Sequence, residues 1–175
     1  MMEILHRYLM IALACAAMLV GIQVPNLVDQ YQKRVDAHLR EITLNFKPYQ
    51  DLADKYFGGD IGKLLQLHRQ NQAQPIREEG DAIENMIRRK QHLEQADADM
   101  QASLPVRIYR VIVRGDRDLM RETLQQYTYA VPLNEDALMA GGAAAALLLA
   151  LTEVLLALAR YLSQTLLLRL RNLFT

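Results

Sequence analysis

Apolar positions in this chain fall in two different patterns. They run together from Tyr8 to Val24 and again from Ala137 to Ala159, and between these runs they recur singly among polar and charged residues. Crossing the hydrocarbon core of a bilayer takes roughly 20 consecutive apolar residues, with a workable range of about 17 to 25. The second run, 23 residues long, meets that length despite Thr152 and Glu153, and the first, at 17, sits at its lower limit. The mean hydropathy of the whole chain is near zero because two apolar ends are averaged with a charged middle.

The intervening pattern is helical. From Asn26, placed as an N-cap, Val28, Tyr31, Val35, Leu39, Ile42 and Phe46 recur at spacings of three and four, one stripe of an amphipathic helix. Pro48 is expected to open a second short helix, ended by Gly58-Gly59. Asp60 caps a third helix carrying Ile61, Leu64, Leu65 and His68, which stops before Pro75. A long helix over 76–103 follows. Its Ile83, Met86, Ile87, Leu93 and Met100 give a coiled-coil-like recurrence interrupted by Lys90 and Asp97. Val106–Val113 carries the one strand-like signal. Asp116 then caps a helix to about Tyr129 with a buried stripe of Leu119, Met120, Leu124 and Tyr127, and Asn134 caps the second apolar run. Glu135 and Asp136 in that first turn complement the positive end of the helix.

The expected fold class is therefore all-α: a two-helix transmembrane hairpin with an extramembrane helical bundle of four to six helices between the spans. The expected divisions are 1–7, a cytoplasmic N-terminus; 8–25, the first transmembrane helix; 26–134, a periplasmic helical domain; 135–160, the second transmembrane helix; and 161–175, a cytoplasmic amphipathic tail.

Charge sets the expected orientation. Arg7 precedes the first run and Arg160, Arg169 and Arg171 follow the second, whereas Asp29, Glu135 and Asp136 stand at the inner ends. Basic residues flanking spans stay cytoplasmic. In a bacterium this places both termini in the cytoplasm, the spans in the inner membrane and the middle in the periplasm. Residues 26–136 hold 16 Lys/Arg and 18 Asp/Glu, a net charge of −2, which argues against nucleic acid as a partner. A cleaved signal peptide is the alternative for the first run, since Ala14, Ala16 and Ala17 offer small residues and Ala12-Leu13-Ala14-Cys15 approaches a lipoprotein signal. Retention is favoured because the apolar run continues past them to Val24. The single Cys15 excludes an intrachain disulfide.

Candidate chemistry is sparse. Glu153, with Thr152 beside it, is an ionisable group inside a span, which by default faces protein, water or a partner. Its depth is expected to match Ala14 and Cys15 on the first span, which offer no charge. It reads as a boundary carboxylate or as an oligomer contact. Gly141, Gly142 and Ala146 belong to a small-residue face that allows close helix approach, with Ala12, Ala16 and Ala17 as its expected counterpart. Arg160, Arg169 and Arg171 are placed to meet lipid headgroups. His6, His38, His68 and His92 lack metal-ligand spacing. Gly58–Lys63 lacks the pattern of a phosphate loop. Ser103, Thr123 and Ser163 lack the His and carboxylate that would make a nucleophile. No catalytic residue, cofactor or metal is expected.

The stretch Gly21–Ile42, directly after a short apolar span, resembles the bacterial domain-of-unknown-function family 2937. The resemblance rests on Gly21, Gln23 and Pro25 at the membrane exit, then Gln30-Tyr31 on an amphipathic helix, and the proline-led approach Ala130-Val131-Pro132-Leu133 to a second span. It implies an inner-membrane protein of unknown function and supplies no active site. The expected function is a non-enzymatic membrane protein that self-assembles as a structural or scaffold component, with membrane lipids and further copies as partners. The alternative is an accessory subunit of a transporter or envelope complex, with Glu153 against a different, larger membrane protein.

Overall fold

The computed structural model describes residues 2–173, and side chains for residues 3–164; the side chains of Arg169 and Arg171, and with them most of the expected amphipathic tail, lie outside the described residues. The described residues form six helices and no strand: α1 Met2–Phe57, α2 Ile61–Arg69, α3 Gln74–Met100, α4 Leu104–Arg114, α5 Arg117–Gln125 and α6 Glu135–Leu173. The chain divides into two compact units, one made of residues 1–27 and 128–175, the other of residues 28–127.

Several expectations about the first helix are corrected. α1 is one helix from Met2 to Phe57, so neither Asn26 nor Pro48 begins an element. The stripe explains the continuity past Pro48: Val28, Tyr31, Val35, Ile42, Phe46 and Ala53 are all buried, so one face stays anchored on both sides of the proline. Pro48 itself is exposed, so the missing backbone bond that proline cannot donate falls on the solvent side of the helix. The break comes at Gly58 and Gly59, whose φ values of +61° and +86° lie in the left-handed region that side chains disfavour.

In the unit 28–127, Val28, Tyr31, Val35 and Ile42 of α1 meet Leu93 and Met100 of α3, Val111 of α4 and Leu119 of α5 in one apolar core. α2 packs on α3, close enough that a Cβ on Gly80 would stand 2.9 Å from the His68 Cβ. Asp60 caps α2 by accepting from the Gly62 and Lys63 N–H groups at 2.9 and 3.3 Å. The strand-like Val106–Val113 is helical, for a physical reason. Leu104, Ile108 and Val111 turn inward at helical spacing, Pro105 fits the first turn, and no other strand stands among the described residues to pair with it. α5 ends at Gln125, short of Tyr129, and Leu124 is exposed rather than buried. Thr123 takes the inward position, and its hydroxyl donates to the Leu119 carbonyl at 2.7 Å.

In the unit of residues 1–27 and 128–175, the beginning of α1 and α6 supply two helices long and apolar enough to cross a membrane. Asn134 caps α6, its Oδ1 accepting the Ala137 N–H at 2.8 Å.

Candidate functional site

Two constellations stand out, one in each unit. In the first, α1 and α6 approach through glycine. A Cβ added to Gly21 would lie 2.6 Å from the Ala144 Cβ and 2.8 Å from the Ala140 carbonyl oxygen, and one added to Gly141 would lie 2.8 Å from Ile22 Cγ1 and 3.0 Å from the Met18 carbonyl oxygen. The close contacts of the small-residue face are thus made by Gly21, Met18 and Ile22; of the expected Ala12, Ala16 and Ala17, the first two are exposed and Ala17 is half-buried. Gly142 differs from its neighbour: nothing lies within 4 Å of its Cβ position. Ala146 is exposed as well.

That glycine crossing fixes the register of the two helices. From Gly141 to Glu153 is 12 residues, and 12 residues back from Met18 on the antiparallel course is His6. Glu153 Oε1 lies 3.8 Å from His6 Nε2, so its facing residue is His6 and not Ala14 or Cys15. The pair is open, with the Glu153 side chain 61% exposed. Thr152 is satisfied within its own helix, its hydroxyl donating to the Leu148 carbonyl at 2.8 Å. Arg160 is exposed in the later part of α6. Asn26, rather than capping a helix, donates its amide to the Thr128 and Ala130 carbonyls at 3.1 and 3.2 Å, tying the non-helical approach to α6 onto α1.

The second constellation lies in the unit 28–127, on α1, α3 and α5. His38 Nε2 is 2.8 Å from Glu122 Oε2. Arg34 stands 4.0 Å from the same oxygen and donates to Gln126 at 2.7 Å, and Arg89 reaches His38 Nδ1 at 3.3 Å. The hydrogen bond to His38 holds the Glu122 carboxyl below the usual carboxylate range, with the Arg34 and Arg89 charges assisting. Next to it, Asp116 is partly buried, which opposes ionisation. The Leu119 N–H, His92 and the Asp118 N–H outweigh this and leave its carboxyl below the usual range. His92 Nε2 lies 2.9 Å from Asp116 Oδ2.

A cleft of about 520 Å³ opens beside these groups, lined by Arg89, His92, Asp116, Arg121 and Glu122 among others. Its carboxylates are already engaged, and the nearby Thr123 hydroxyl is buried and committed to a carbonyl. The arrangement works as an ion-pair lock between three helices. Among the described residues no group of three or more His, Cys, Asp or Glu is placed to hold a metal ion.

Sequence reasoning missed the lock. Arg34, His38 and Glu122 are separated by up to 88 positions and carry no local motif, and only their faces on α1 and α5 bring them together. Gly21 did carry a signal, as one of the family's positions at the end of the first apolar run.

No curated protein and no solved structure matches the chain. A family model described as "protein of unknown function (DUF2937)" matches residues 5–165, which takes in both apolar helices and everything between them, and the chain therefore belongs to that family.

Proposed function

We propose that this protein is a non-enzymatic scaffold of the bacterial inner membrane that self-assembles through α6. In this reading α1 and α6 span the bilayer over 8–25 and 135–160, both termini are cytoplasmic, and the region between the spans is a periplasmic helical domain. The basic residues Arg7 and Arg160 at one end of the spans, against Asp29, Glu135 and Asp136 at the other, support that orientation.

The observation that carries the self-assembly is the difference between two adjacent glycines. Gly141 is filled by the first span, whereas Gly142 meets nothing within 4 Å. Gly142, Ala146 and Leu149 follow one another at four and three residues, so they share one face of α6, turned about 100° from Gly141 by the helical period, and Glu153, which stands 3.8 Å from His6 with its side chain 61% exposed, borders that face. That face is a small-residue surface bordered by a carboxylate, the combination by which membrane helices approach closely and lock by hydrogen bonding. A second copy presenting the same face fits it.

The test is the mass of the full chain in mild detergent, by light scattering or native mass spectrometry, with Glu153→Ala alongside. The expected result is a discrete homo-oligomer that the substitution weakens. A monomer that co-purifies with one different membrane protein would replace this reading with an accessory subunit whose Glu153 meets that partner.

A further inference from the structure

α4 is more apolar than the core can use. Leu104, Ile108 and Val111 turn inward, but Val106, Tyr109, Ile112 and Val113 remain outside at spacings of three, three and one. Ile112 is 77% exposed and Tyr109 62%. Over the α4–α5 corner this ridge runs into a groove of about 740 Å³, whose apolar lining includes Ile112, Val113, Met120 and Leu124 and whose charged residues are Arg117 and Arg121. Arg114 and Arg117 form no ion pair among the described residues. Arg121 has only Asp118, at 3.5 Å and with both side chains mostly exposed.

The corner is fastened to the first turns of α1 beyond its apolar run. Arg107 pairs with Asp29 at 3.3 Å and donates to Gln32 at 3.0 Å, and the Asp116 N–H donates to the Tyr31 hydroxyl at 2.9 Å. The apolar run ends at Val24, only five residues before Asp29. At full extension that length of chain reaches no more than roughly 18 Å, so a chain inserted in a bilayer through this run carries the corner within reach of the headgroups.

We propose that the α4–α5 corner is a lipid-docking surface. Tyr109, Ile112 and Val113 enter the headgroup boundary of the membrane that holds the chain, and Arg114, Arg117 and Arg121 bind phosphates of anionic phospholipid. An apolar ridge with arginines beside it has the composition of interfacial helices, and tethering makes the surface an intramolecular partner at high effective concentration. A second copy is the poorer occupant, because a two-fold contact through this corner sets the three arginines against their own equivalents. The inference rests on membrane insertion of the chain and is independent of whether the protein self-assembles.

The chain contains no tryptophan, so Ile112→Trp introduces a unique fluorophore, with Tyr109→Trp as a second reporter on the same ridge and Leu52→Trp as an exposed control elsewhere on α1. Each full-length variant is reconstituted into vesicles of phosphatidylcholine alone or with phosphatidylglycerol, and resistance to alkaline carbonate extraction reports insertion separately. The expected result is blue-shifted emission at 112 and 109, quenched by brominated lipid, strongest with phosphatidylglycerol and absent at 52. Combining Arg114→Glu with Arg117→Glu should lower the docked fraction relative to the free one by about tenfold or more. Water-like, unquenched emission in carbonate-resistant protein overturns the proposal. So does a blue shift without lipid quenching that grows with protein density, which would mean that another copy covers the ridge.

Discussion

The hydroxyl oxygen of Tyr31 accepts the backbone N–H of Asp116 at 2.9 Å, while the Asp116 carboxylate caps α5 through the N–H groups of Asp118 and Leu119 at 2.8 and 3.0 Å. One buried phenol on α1 thus fixes the turn that launches α5. Burial raises the Tyr31 pKa, with the neighbouring Asp116 and Asp99 charges adding to it, so the hydroxyl stays protonated. Tyr31→Phe keeps the packing and leaves the Asp116 N–H without its acceptor. The expected cost is about 1–2 kcal/mol, read as a lower midpoint in thermal melts followed by circular dichroism. An unchanged midpoint would mean that water replaces the phenol.

Asp36 on α1 and Asp97 on α3 are like charges that act on one another. Burial first, then Asp97, raises the Asp36 pKa. A carboxyl raised in the folded state contributes stability that is fully present below the ordinary carboxylate range and lost as pH rises through the folded value. Asp97→Asn should therefore stabilise the protein at neutral pH, by a few tenths of a kcal/mol as for other exposed like-charge contacts. The gain should vanish in acid. A loss of stability at neutral pH would show that Asp97 is held by something other than Asp36.

Glu122 titrates in the opposite sense. Its folded-state pKa is depressed, by the His38 hydrogen bond first, so its contribution is present above the usual glutamate value and is lost as pH falls through the folded one. His38→Ala should move the Glu122 carboxyl back toward its ordinary titration, as followed by carbon-detected NMR of the side-chain carboxyl. A titration unmoved by the substitution would assign the depression to Arg34 and Arg89 instead.

How legible these features were depends on how local their causes are. The α1 stripe of Val28, Tyr31, Val35 and Ile42 is the core, because burial of a helix face writes itself into the sequence at spacings of three and four. Asp60, Asp116 and Asn134 act as caps for the same local reason. Asn26 does not, because its capping chemistry is overridden by two carbonyls more than 100 positions away. Val106–Val113 misled because alternating apolar and basic residues fit a half-buried strand and a helix exposed on two sides equally well. Glu153 was found as a lone charge in an apolar run, but its neighbour His6 depends on the register set at Gly21 and Gly141.

That register has its own test. A side chain at Gly21 would collide with Ala144 and with the backbone at Ala140, so Gly21→Val forces α1 and α6 apart, whereas Gly142→Val meets open space. Overpacking of this kind costs about 1–3 kcal/mol. Thermal inactivation in detergent should show a clear loss for Gly21→Val, and a Gly142→Val monomer should melt as the parent chain does. Equal tolerance of both substitutions would contradict the crossing.

The claim that α6 carries the assembly is tested most directly by cross-linking in native membranes. In a Cys15→Ala background, Gly142→Cys places the only thiol on the open face of α6, and Ala140→Cys places it on the side that meets Gly21. Mild oxidation should give a disulfide-linked dimer from Gly142→Cys and little or none from Ala140→Cys. Monomer at both positions, or dimer only at Ala140, would contradict the account.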